Sequence, residues 1–135
     1  MPATDSATGD IDTPRLRLSL AFAERADARK RRNVAMVKVA LVVRLVAKPG
    51  KEEQVRALLA GAEPLAKAES FTPAWFALRT EPSVFYIVDA FANDADRGKH
   101  LAGEIAKALM AKAPDLLAEP PKIEKADVLG VKLPG

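Results

Sequence analysis

No cysteine occurs among the 135 residues, which excludes disulfides, thiolate metal sites and cysteine nucleophiles. A single histidine leaves too few imidazoles for a His-rich zinc or iron centre, so no metal or other cofactor is expected. Long apolar runs are missing too: no window approaches the roughly 18 residues that a membrane span needs, so no membrane partner and a cytoplasmic location are expected. The usual signatures of bound phosphate or an activated serine (G-x-G-x-x-G, a Walker loop, G-x-S-x-G) do not occur, which disfavours dinucleotide, ATP and serine-hydrolase chemistry. Nor is there a large excess of one charge. The net +3 arises mostly from seven Lys/Arg against five Asp/Glu in residues 1–35, and the remainder is nearly neutral at 14 against 13. The basic run Arg29-Lys30-Arg31-Arg32 could meet phosphate or anionic lipid, but a solvated, unstructured stretch is the better reading, and no nucleic-acid partner is expected.

What is present describes one domain and an extension. Apolar content of 49% with 29% charge suits a globular protein of this length. Residues 1–13 are rich in Thr, Asp, Ala and Ser without an apolar period, and they bury too little to offset ordering entropy. Residues 1–35 are therefore expected to be a disordered basic extension, with a short frayed helix over Ala23–Arg32, and residues 36–135 the folded domain. Ala21-Phe22-Ala23 has the shape of a signal-peptidase site, but Arg15 and Arg17 interrupt the apolar stretch before it. Met36 stands directly before the first strand, which makes the upstream segment either a mis-assigned start or a dispensable extension.

Alternation over Val37–Val46 predicts a strand with Val37, Val39, Leu41, Val43 and Leu45 on a face suited to a helix layer. Its other face, carrying Lys38, Ala40, Val42, Arg44 and Val46, suits a cavity or subunit interface. Pro49-Gly50 ends the strand, and Glu52 and Glu53 favour a helix start. Val55, Leu58, Leu59, Ala62, Leu65 and Ala66 give that helix one buried face, with Pro64 bending or ending it. Phe71–Arg79 and Val84–Ala92 read as an antiparallel hairpin. Asn93 caps a second helix with a Leu101/Ile105/Ala108/Leu109 stripe, interrupted at Pro114, and Ile123–Leu133 is the last strand. The order β-α-β-β-α-β predicts an α+β, ferredoxin-like antiparallel sheet with helices on one side. Its second face would expose apolar groups, so a homodimer is expected.

Two segments carry a further resemblance: Val37–Val46 running into Ala47-Lys48-Pro49-Gly50-Lys51-Glu52-Glu53, and the acidic strand end Asp89-Ala-Phe-Ala-Asn-Asp-Ala-Asp-Arg-Gly-Lys-His100-Leu101. Together they resemble the antibiotic biosynthesis monooxygenase family of dimeric α/β barrels over roughly residues 37–133. The resemblance implies oxygenation of a small aromatic, phenolic or quinol substrate by O₂, without metal, flavin or haem. It also implies His100 as base or proton shuttle, Asp89, where the family commonly has a glutamate, as its orienting or anion-balancing partner, Arg44 as anion stabiliser, and Trp75, Phe76, Phe85, Tyr86 and Phe91 as substrate-binding walls. Each position has a plainer alternative. His100 lies off the apolar stripe, so its loss is expected to cost less than roughly 1 kcal/mol, and it could be a surface residue bonded to Glu104. Asp89 could be a structural ion pair with Arg44, Arg79 or a backbone amide. The aromatics could be ordinary core, and Tyr86 falls on the strand face opposite Asp89. A non-catalytic ligand-binding or stress-related dimer therefore competes with the enzyme.

Overall fold

The computed structural model describes residues 37–134 and, of the preceding segment, Ala21, Glu24 and Arg25, which are helical. The expectation of disorder for residues 1–35 otherwise lies outside the described residues. The domain runs β1 (Val39–Val46), α1 (Glu52–Gly61), α2 (Glu63–Ala68), β2 (Ala74–Glu81), β3 (Val84–Phe91), α3 (Asp94–Leu101), α4 (Glu104–Leu116) and β4 (Lys122–Asp127). The sheet is wholly antiparallel in the order β2-β3-β1-β4, the ferredoxin-like arrangement that the alternation predicted. No described helix is long and apolar enough to cross a membrane.

Because side chains alternate along a strand, one face gathers Leu41, Val43, Leu45, Phe85, Ile87 and Phe91, all buried. The helices lay Val55 and Leu59 of α1 and Leu109, Ala113 and Leu116 of α4 upon it. Each fully buried Leu or Phe contributes about 1.5–3 kcal/mol relative to exposure, so this face is the main source of cohesion. The opposite face leaves Phe76 and Leu78 about half exposed beside Val42, Arg44, Tyr86 and Val88.

Four boundaries differ from the pattern. The first helix ends at Gly61 and restarts at Glu63, with Pro64 in the first turn of α2, where its missing N–H breaks no ladder. The second breaks at Ala102–Gly103 instead of at Pro114, which sits inside α4. Pro114 is exposed in the last turn, and its carbonyl accepts from Lys48 Nζ at 2.7 Å. Strand β2 begins at Ala74, not Phe71, since Pro73 cannot donate to a ladder and Thr72 N–H closes a turn onto Glu69 O. Strand β4 ends at Asp127, before Gly130 and Pro134.

Candidate functional site

The break at Ala102–Gly103 frees α3 to present its own face to the sheet, and that face is polar. Asn93 caps the helix, its Oδ1 accepting from Asp96 N–H at 2.8 Å. One turn apart, Arg97 and His100 point inward and are buried. Arg97 Nη1 donates to Ala40 O at 3.1 Å and Ala126 O at 3.3 Å, and its Nη2 to Asp94 at 2.7 Å, which pins α3 to β1 and β4. His100 then lands on Asp89 of β3, which is 1% exposed.

The imidazole stands between two carboxylates. Its Nδ1 lies 2.7 Å from Glu69 Oε1, an oxygen that also accepts from Thr72 Oγ1 at 2.7 Å. Its Nε2 lies 2.9 Å from Asp89 Oδ2. The second contact is a close charge pair, not an aligned hydrogen bond, since among the described residues neither Asp89 oxygen has a hydrogen-bond donor. At that separation the attraction is strong whatever the bend, because the surroundings are apolar. Phe91 packs its ring 5.2 Å from the imidazole at a tilt of 43°. Burial by itself would lower the His100 pKa, but Asp89 and then Glu69 outweigh it and raise it above 6.5. Asp89 is raised above 3.8, chiefly by burial and also by Glu69, with His100 pulling the other way. The site therefore holds a proton firmly: a cationic ring between carboxylates, with one buried carboxylate oxygen, Asp89 Oδ1, meeting no hydrogen-bond partner among the described residues.

The sequence-derived candidates divide between the two sheet faces. Trp75, Phe85 and Phe91 share the helix face with Asp89, and Trp75 is directly across from Asp89 in the β2–β3 register. Arg44, Phe76 and Tyr86 lie on the open face, Arg44 paired with Glu119 at 3.1 Å. Arg44 therefore neither pairs with Asp89 nor reaches the His100 site. Arg79 does not pair with Asp89 either: it bonds Pro82 O and stands 5.0 Å over Phe85. The surface reading of His100 beside Glu104 is overturned as well, since its partners are Glu69 and Asp89. Glu69 and Thr72 are the residues that sequence reasoning missed. They lie 31 and 28 positions before His100, in the turn after α2, and no spacing rule joins them to it.

Gly103 contributes by having no side chain. A Cβ there would lie 3.0 Å from Glu69 Oε2 and 3.3 Å from His100 O, so the carboxylate reaches the imidazole through space that any other residue would occupy. Above the same sheet face, α1, α2 and α4 line a half-open pocket of about 270 Å³ over Ile87, bounded by Leu58, Leu59, Ala62, Leu65, Ile105 and Leu109 among others, all apolar. Neither Asp89 nor His100 lines it. Among the described residues no group of three or more His, Cys, Asp or Glu is placed to hold a metal ion, and the imidazole keeps Asp89 and Glu69 from converging on one point.

With that geometry in view, solved structures place the domain in a class. It is an α+β domain with the fold of the antibiotic biosynthesis monooxygenases: one such structure is 15% identical, covering 68% of this chain and 99% of its own, at a TM-score of 0.61. A Pseudomonas aeruginosa structure, PA3566, is 21% identical over 70% of this chain and 96% of its own, at a TM-score of 0.62. The chain belongs to the same family as NE2512, a protein of unknown function from Nitrosomonas europaea, with which it is 57% identical over 74% of this chain and 97% of that one at a TM-score of 0.73. No family model matches the sequence, and no curated protein matches it.

Proposed function

We infer that the protein is a cofactor-independent monooxygenase acting on a small aromatic, phenolic or quinol substrate, in which the substrate itself supplies the electrons that reduce O₂. The observation that carries this reading is the buried Asp89–His100–Glu69 cluster, lying beside an apolar cavity in a fold shared with antibiotic biosynthesis monooxygenases. In the proposed reaction a phenolic O–H gives its proton to Asp89 Oδ1, whose burial-raised pKa brings it nearer to that of a phenol. His100, already protonated between its carboxylates, orients Asp89 and balances the developing anion, and it can pass the proton onward. The phenolate reduces O₂ by one electron, the radical pair recombines to a hydroperoxide, and loss of water leaves a quinone. The balance is phenol plus O₂ to quinone plus water. An oxygen electrode tests it: uptake matching quinone formation one to one, unchanged by chelator, is expected, and no uptake across a panel of phenols, naphthols and quinols would sink the reading.

The competing reading, a non-catalytic binder with the same fold, draws on one observation: neither His100 nor Asp89 lines the cavity. Under it a ligand raises the melting temperature without turnover.

The open sheet face supports self-association. Phe76 and Leu78, half exposed beside Val42, Tyr86 and Val88, form an apolar strip that a second copy would cover. Light scattering at micromolar concentration should give twice the 14.5 kDa chain mass; a stable monomer would leave that strip unexplained.

A further inference from the structure

Asp89 is sealed: it is 1% exposed, and neither of the two pockets beside α1 is lined by it. Anything that meets its carboxylate must enter past one of the surrounding elements, and these are held unequally. Strand β3 is laddered on both sides, to β1 and to β2. Helix α3 is pinned by Arg97 to carbonyls of both β1 and β4, and α4 lays Leu109, Ala113 and Leu116 in the core. The turn of residues 69–73, between α2 and β2, has no such anchor. Among the described residues its backbone bonds stay local, Glu69 N–H to Ala66 O at 3.1 Å and Thr72 N–H to Glu69 O at 3.2 Å.

Side chains of α3 hold the turn instead. The Glu69 carboxylate meets His100 Nδ1 at 2.7 Å, and Lys99, itself exposed, stands 5.9 Å over the Phe71 ring, a weak tie at a solvated site. The first tie depends on the charge of the imidazole. A cationic ring offers an N–H to each of its two carboxylates, whereas a neutral one has a single N–H and presents a lone pair to the other. Asp89 is fixed within a ladder, so the partner free to withdraw is Glu69. Burial opposes the charge on the ring, and Asp89 and Glu69 are what sustain it. Among the described residues the neighbouring charges are engaged elsewhere: Arg97 with Asp94 and two carbonyls, Lys99 with Asp96, Glu104 of α4 with Lys107, Arg44 of β1 with Glu119, and Arg79 of β2 with Pro82 O.

We propose that the 69–73 turn is a strap over Asp89, held shut by the protonated His100 ring and released when the ring gives its proton to solvent. Thr72 travels with the strap, since its hydroxyl donates to the same Glu69 oxygen that meets the imidazole. Trp75 lies two residues beyond the turn and directly across from Asp89 on the same sheet face, so a molecule that passes the opened turn arrives beside the indole. The buried carboxylate is thereby reachable on the alkaline side of the His100 titration and closed on the acid side. What enters and reacts there rests on the oxygenase reading, whereas the opening itself does not.

Hydrogen exchange and quenching of Trp75, the single tryptophan, test the strap without any substrate. Corrected for intrinsic rates, the Thr72 amide should lose about ten-fold or more of its protection between about pH 5.5 and about pH 8.5, the scale of one charge-assisted hydrogen bond. Its exchange should be indifferent to dilute urea, as a local opening is, while the amides of β3 respond. The rate constant for acrylamide quenching of Trp75 should rise about three-fold or more over the same interval, as a sealed ring becomes reachable. Glu69→Gln, which keeps the shape and removes the charge, should give both open values already at about pH 5.5. Thr72 protection that is unchanged with pH, or that falls only as urea unfolds the whole domain, would overturn the proposal. Flat quenching while Thr72 opens would overturn the route to Asp89, and parental behaviour of Glu69→Gln would overturn the clasp. If that variant does not fold, the two measurements on the unsubstituted protein decide. Opening on cue with no oxygen uptake on any phenol would sink the oxygenase reading and leave this one standing.

Discussion

Replacing His100 with alanine is expected to destabilise the domain by about 3–5 kcal/mol, the range for removing one partner of a buried ion pair. Asp89 is 1% exposed and would be left with no cation beside it. For a domain of this size the melting temperature should fall by more than about 12 °C. The direction of the pH dependence follows from the same contacts. His100 is raised above 6.5 in the folded state, so its contribution is fully present below pH 6.5 and is lost as pH climbs through the raised value. Asp89, raised above 3.8, likewise makes the folded state hold its proton longer, a contribution complete below pH 3.8 and lost as pH rises through its own raised value. Both slopes have one sign: the folded protein binds more protons than the unfolded one. Urea melts should therefore show stability declining as pH rises from about 6.5, and the alanine variant should lack the histidine's share of that decline. A variant within about 1 kcal/mol of the parent, or a parent indifferent to pH above 6.5, would mean that the imidazole is not held between charges in solution.

Asp89→Asn is expected to lower oxygen uptake on a phenolic substrate by about 10²–10⁴-fold, the usual range for losing a positioned base. Its stability should change far less, by about 1 kcal/mol, since a neutral amide of the same shape gives up the ion pair but escapes the desolvation cost that a buried carboxylate bears. The contrast with His100→Ala is the informative part: one variant should fold and not turn over, while the other should scarcely fold. Steady-state kinetics with a melting curve on the same preparation reads both. Full turnover in Asp89→Asn would remove the carboxylate from the chemistry.

Much of this was legible from the sequence, and the illegible part has a physical reason. Period-two alternation in Val39–Val46 and Val84–Phe91 is a local signal, and it gave the sheet, the face covered by helices and the side on which Asp89 lies. The helix stripe was less reliable. Extending the Leu101/Ile105/Leu109 row back through α3 treats two helices as one, and the 100° rotation per residue then carries His100 out to solvent. In the structure the chain breaks at Gly103, the rotation restarts, and His100 turns inward. The anion-stabilising role of Arg44 came only from the family resemblance; the alternation had already put it on the other strand face, where it meets Glu119. Glu69 and Thr72 left no local trace, since their role exists only once the turn after α2 has met His100 of α3.

The guanidinium of Arg97 sets an order of assembly. It grips one carbonyl of β1 and one of β4, and β4 follows the other described strands in sequence, so it leaves the ribosome after them. A nascent chain that has emerged only through α4 already possesses Asp89, His100 and Glu69, yet its α3 is fastened at Ala40 and not at Ala126. The centre is thus composed early and secured late, and damage to the C-terminal strand would be felt at a histidine more than twenty positions upstream of it.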